Sequence, residues 1–342
     1  MCTFLFCRWF AIALLCTGLW LSAPSHAFAQ TVAQPQTCRL GAYLVGLHDF
    51  DLAKKSFNSD FWVWSVCPSK DLKPLESMDF IDSKKIVLSN SSLLERKDKF
   101  GGFSKQDSVY WAQKKVNGDF YHNWDVQNFP FDHHTLSIPI EESVYDTTAF
   151  VYTPDTKNSG YKSNLDLDDW KITSFSIKGE PITYNTTYGD PEIEKGQSTY
   201  SRSTILINIQ RKTALSFLKL NAVVYIGFLL SLASYFLNPA QTSLMGAKIS
   251  APVGAIFAVV VNQRATETLL GRSESLTLVD KVHITALLYI LLAIVIAIYS
   301  RLVSERGDEK RAVRINHASA YIAAVSFVLV NAILITHAAI AG

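Results

Sequence analysis

Cysteine is scarce once the first 29 residues are set aside. Cys2, Cys7 and Cys16 fall inside that segment, and only Cys38 and Cys67 follow it. A multi-disulfide framework is therefore excluded, and one bridge at most is available. The chain also lacks an HExxH pattern, a phosphate-cradling glycine loop and a serine–histidine pair in its apolar segments. Acids inside those segments are not paired; Asp280 stands alone near the end of one. These absences argue against an enzyme, and no cofactor is expected. His48, His122, His133 and His134 do not stand with partners at ligand spacing, so no metal site is expected either. The formal net charge is only +2, without a basic face, which removes nucleic acid as a partner. Between residues 31 and 212 no long amphipathic helix can be found.

What is present divides into parts suited to different solvents. Residues 1–29 read as a secretory signal peptide: Arg8 is followed by the apolar run WFAIALLCTGLWLSA, and AFA precedes Gln30 as a small-x-small cleavage site. The last third is mostly apolar. Spans of about 20 apolar residues suffice to cross a bilayer. Four are expected, over residues 214–237, 244–264, 276–300 and 317–341. The second differs from the rest. It is rich in small residues, with Lys248 at one end and Asn262, Gln263 and Arg264 at the other, and suits contact with protein or water better than lipid. Export of residues 30–210 places them outside, in a periplasmic or extracellular space, and puts RLVSERGDEKRAVRIN on the inner side. Its Arg301, Arg306, Lys310, Arg311 and Arg314 agree with the positive-inside rule. The expected location is the bacterial inner membrane, multi-pass.

Residues 30–210 carry strand signals throughout: AYLVGL, DFWVWSV, KKIVLS, SVYWAQKKV, HTLSIPI, TAFVYT, WKITSFSI and STILINIQ, separated by turn formers. Many short strands at this spacing predict a β-sandwich, immunoglobulin-like, followed by a four-helix membrane domain over 211–342. Cys38 and Cys67 lie about equally far from a polar turn near Asp51 to Lys55, so an antiparallel hairpin sets them opposite each other and predicts a disulfide. STILINIQRK runs almost directly into the first apolar segment, so movement of the sheets reaches the membrane through one stiff link.

The order of parts, with VNGDFYHNWDVQNFPFDHHTL, DDWKITSFSI, INIQRK and SLTLVDKV, resembles the pentameric ligand-gated ion channels of the Cys-loop receptor superfamily, in their bacterial form. The namesake cysteines would fall near His122 and Leu136 and are absent. The resemblance implies a homopentamer in a lipid bilayer, passing inorganic ions through a pore lined by the second helix. It implies that Phe129, Pro130, Phe131 and Asp132 form a rigid corner at the base of the sandwich, with Arg211 as partner of Asp132 and Asp51 alongside. It also places an agonist pocket near Phe150, Tyr152, Tyr184, Tyr188 and Tyr200, where aromatic faces and nearby acids (Asp190, Glu192, Glu194) suit a small cationic amine. Protons are the rival stimulus, through the histidines. Stepping by three and four residues along the second helix gives a pore face of Gly246, Ser250, Gly254, Phe257, Val261 and Arg264. No acid precedes Lys248, so an anion-preferring or weakly selective pore is expected. The competing function is a membrane-anchored sensor or binding protein that does not conduct.

Overall fold

A computed structural model describes residues 34–99, 108–191, 196–271, 273 and 275–342. The expected leader and the acids Glu192 and Glu194 lie outside the described residues. Eleven strands are found among them: β1 (Gln36–Asp51), β2 (Ser56–Cys67), β3 (Met78–Phe80), β4 (Ser83–Leu88), β5 (Leu94–Lys97), β6 (Ser108–Tyr121), β7 (His133–Asp146), β8 (Phe150–Pro154), β9 (Gly160–Tyr161), β10 (Trp170–Tyr184) and β11 (Ser198–Arg211). One sheet has the order β4-β6-β2-β1-β8, with β5 added to β6 and β9 to β1. The other runs β10-β11-β7-β3. All pairings are antiparallel except those of β8 and β9 with β1.

Alternation decides which faces meet. In β2 every second residue from Phe57 to Cys67 is buried, while Asn58, Asp60, Trp62 and Trp64 turn to the other side at half burial. Phe61 and Phe120 of the first sheet reach Phe80 of the second, with ring centroids 6.0 and 6.1 Å apart. Leu136, Ile138, Ile140, Ile205 and Ile207 close the core from the second sheet. Cys38 and Cys67 are joined by a disulfide where β1 and β2 pair. The strands expected from sequence correspond to β1, β2, β4, β6, β7, β8, β10 and β11. β3, β5 and β9, two to four residues each, are too short to give a strand signal of their own and take their register from longer neighbours.

Four helices long and apolar enough to cross a membrane follow: the first, Leu215–Ser234; the second, Thr242–Leu270; the third, Leu278–Glu305; the fourth, Glu309–Ala341. Three boundaries differ from expectation by five residues or more; the third helix runs past 300 to Glu305. The second helix runs past Arg264 to Leu270 and stops at Gly271, whose φ of 78° is left-handed. The fourth begins eight residues before 317, at Glu309, so the expected inner loop shrinks to a sharp turn. Gly307 takes a φ of 92° there, and the Asp308 side chain accepts from the Arg311 amide as an N-cap. Charged residues with good helix propensity fill the next turns, so a hydropathy window misses a helix that is already formed. Thr277 and Asp280 cap the third helix reciprocally, which gives the lone acid a structural role.

Packing between helices follows small residues. A side chain at Gly227 of the first helix would stand 3.2 Å from Val259 of the second, so glycine is what permits their approach. Phe228 stacks on Phe327 of the fourth helix at 3.8 Å. Ile226, Leu229, Leu288, Leu291, Ile322 and Val325 remain exposed, an outer face that suits hydrocarbon and not water. The second helix continues through Pro252, which lies on its buried side.

Candidate functional site

The corner between β6 and β7 meets the end of β11 as the chain enters the first helix. Arg211 Nε donates to Asp132 Oδ1 at 2.9 Å. The guanidinium lies between two rings, 4.4 Å from the centre of Phe129 and 4.1 Å from that of Trp170. Its Nη2 is buried without a hydrogen-bond partner, and the two aromatic faces take up part of that charge. The second Asp132 oxygen accepts from His134 Nε2 at 2.8 Å. Both carboxylate and imidazole are almost fully buried. Burial raises the Asp132 carboxyl, but the His134 hydrogen bond and the Arg211 charge outweigh it and hold it below the ordinary carboxylate value.

Around this pair stands a cage of rings. His122 packs edge-on against Trp124 at 4.5 Å and against His134 at 5.4 Å, and Trp124 lies 5.7 Å from Trp170. His122 Nε2 is buried with no partner. Burial, and then the neighbouring His134, push its pKa down to about 4. The sequence signal for the cage was present in HNWD and HH, but the rings come together only through pairing across both sheets. His133 points outward while His134 points in, as alternation along a strand requires.

The corner also touches the helices. The Leu278 amide, at the start of the third helix, donates to the Gln127 carbonyl at 2.9 Å. Gly271 approaches Ala53 so closely that a side chain would stand 3.1 Å from its Cα. Leu270, Ser273 and Ser275 share a cavity of about 280 Å³ with Leu52, Ala53 and Trp124. The β1–β2 turn therefore lies beside the connection between the second and third helices. Asp51 itself takes hydrogen bonds from Lys54 and does not pair with Arg211.

The five expected ligand residues divide. Tyr184, Tyr188 and Tyr200 form one cluster with centroids 5.6, 6.1 and 6.2 Å apart, and Tyr188 is largely exposed. Glu141, unforeseen from the sequence, anchors the cluster. It accepts from Tyr184 Oη at 2.8 Å and from Arg202 Nε at 2.9 Å. Partial burial and the Glu141 carboxylate both raise the Tyr184 phenol above its ordinary value. Phe150 and Tyr152 are core residues instead. Tyr152 donates inward to Glu142 and to the Pro74 carbonyl, because β8 sets it facing the interior.

On the second helix, Gly246, Ser250, Gly254, Phe257, Val261 and Arg264 all lie on the exposed side. Phe257 and Val261 are 68% and 69% exposed. Val259, Ala255 and Pro252 occupy the opposite, buried side. Lys248 departs from the sequence picture: it is 1% exposed, and its ammonium donates to the Leu237 carbonyl at 3.0 Å. Arg264 is exposed and paired with Glu267 at 3.2 Å.

The chain matches no model of a known protein family, and no curated protein matches it.

Proposed function

We propose that this chain is a subunit of a pentameric ligand-gated ion channel, with an immunoglobulin-like β-sandwich outside the membrane and a pore lined by the second long helix. The observation that carries this reading is the unpartnered stripe Gly246–Ser250–Gly254–Phe257–Val261–Arg264. It mixes small, polar and bulky apolar side chains, unlike the mainly large aliphatic exposed faces of the third and fourth helices, where Leu288, Leu291, Val295, Ile322, Val325 and Val328 stand. A ring of such stripes around an axis gives a narrow water path with an apolar constriction at Phe257 and Val261. The buried Asp132–Arg211 pair, at the junction of β11 with the first helix, supports transmission from the sheets to that path.

The stimulus proposed is a small cationic amine at the Tyr184–Tyr188–Tyr200 faces. Glu141 is already engaged by Arg202, so the rings, and not the carboxylate, provide the attraction. No acid stands on the stripe from Gly246 to Arg264, and Lys248 and Arg264 flank it, so anions are preferred or discrimination is weak. The buried position of Lys248 softens this preference, because its charge faces the packed side.

The test is ion flux from liposomes containing protein shown to be pentameric, across a range of pH and a panel of small amines. Flux that rises with one of them supports the reading. Absence of flux under every condition favours a non-conducting sensor.

A further inference from the structure

The first three long helices meet at a polar node toward their outer ends. Asn262 of the second donates from Nδ2 to the Leu220 carbonyl of the first at 2.7 Å, and to His283 Nε2 of the third at 2.9 Å. His283 Nδ1 stands 2.8 Å from the Val279 carbonyl oxygen, and the imidazole is fully buried. Carbonyl oxygens, which only accept, therefore close both ends of this chain of contacts. His283 must carry its hydrogen on Nδ1, leaving Nε2 as acceptor. Asn262 must present its nitrogen, with both N–H groups used. Only a neutral imidazole satisfies every partner. A proton on Nε2 would set donor against donor. Turning the amide over would offer Oδ1 to the new N–H, but Oδ1 would then face the Leu220 carbonyl, and the tie to the first helix would be lost.

That tie has a particular place. Among the described residues, two side chains of the second helix hydrogen-bond to the first helix or the residues just past its end: Lys248 at the Leu237 carbonyl, and Asn262 at the opposite end, beside the apolar part of the stripe. Asn262 adjoins Val261 and lies five positions beyond Phe257, so the rotation it fixes is the rotation that aims both. Charged and titratable groups near this level are Lys219 on the first helix, Arg264 and Glu267 on the second, Asp280 and Lys281 on the third, and His337 on the fourth. None bonds to the node: Arg264 and Glu267 pair with each other, Asp280 is taken by Thr277, and Lys219 and His337 are exposed.

We propose that Asn262 and His283 are positioning residues that hold the outer half of the second helix against the first, and that a proton on His283 releases it. This rests on the channel reading for its consequence, though not for its chemistry. Two measurements on the full chain in lipid test it. Nitrogen-15 histidine spectra, with His283→Gln to assign the signal, should show a neutral Nδ1–H tautomer at mildly alkaline pH. An Nε2–H tautomer or a charged ring there overturns the node. In flux assays, Asn262→Ala should raise resting flux about fivefold or more, the scale of a coupling of this kind. His283→Gln keeps an acceptor toward Asn262 and a donor toward Val279, so it should conduct at rest like the parent while its response to acid is blunted. Unchanged flux and an unchanged pH curve in both variants overturn the positioning role. If the parent chain conducts under no condition, the channel reading and the gating role fall together, whereas the spectra still decide the node.

Discussion

Replacing Asp132 probes the junction most sharply. Its carboxylate accepts one hydrogen bond from Arg211 and another from His134, with all three side chains more than nine-tenths buried. Asp132→Asn keeps the shape but removes the charge. Arg211 is then a buried cation beside a neutral amide, whose one oxygen can accept from Arg211 or from His134 but not from both. Removing one partner of a buried ion pair costs about 3–5 kcal/mol. Part of that loss should appear as a lower unfolding temperature in detergent, and part as weaker gating in liposome flux. Asp132→Arg should be worse, because it adds a second cation between Arg211 and His134. The exchange Asp132→Arg with Arg211→Asp should restore some response. Rescue will be partial, since a carboxylate at 211 would face the negative π faces of Phe129 and Trp170. A coupling of about 1 kcal/mol or more in this cycle is expected; losses that add within about 0.5 kcal/mol would refute a direct pair.

Four further outcomes follow from the same geometry. Because His122 protonates near 6.5 when unfolded and only at about 4 when folded, acid favours unfolding across that window, and His122→Phe should flatten the fall in melting temperature between those values. Asp132 acts in the same direction lower down: its depressed carboxyl stabilises fully above the unfolded carboxylate value and loses that contribution as pH falls toward the folded one. Cys38→Ser should cost about 3–4 kcal/mol, the scale for a loop closed across a separation of 29 residues, and reducing agent should match it in denaturation of the parent but not of the variant. Tyr200→Ala should lower amine potency about five- to thirtyfold with little change in maximal flux, and equal potency would remove the tyrosine cluster as the ligand site.

Much of this architecture is written plainly in the residues. Period-two alternation in FWVWSV and the run of apolar residues in the first and third helices translate directly into sheet faces and membrane-length helices, since each signal is local. The exposed stripe of the second helix was also legible, because a helical face depends only on spacing. Other features depend on long-range pairing. Tyr152 looked like a pocket residue until its strand's facing was known, and Glu141 joined the tyrosines only through the β7–β11 register. The Asn262–His283 node needs three helices at once, and neither residue stands out in its own segment. Lys248 read as a mouth cation, but a carbonyl left free at the end of the first helix drew it inward.

The central claim, that water and ions pass along the second helix, is tested most directly by cysteine substitution. Ser250→Cys, Gly254→Cys, Phe257→Cys and Val261→Cys each introduce a thiol on the exposed face, while the native Cys38 and Cys67 are locked in their disulfide. With flux switched on, a charged, water-soluble thiol reagent should block one or more of these variants and leave the parent untouched. If all four stay inert while the protein is conducting, the pore lies elsewhere and the account is wrong.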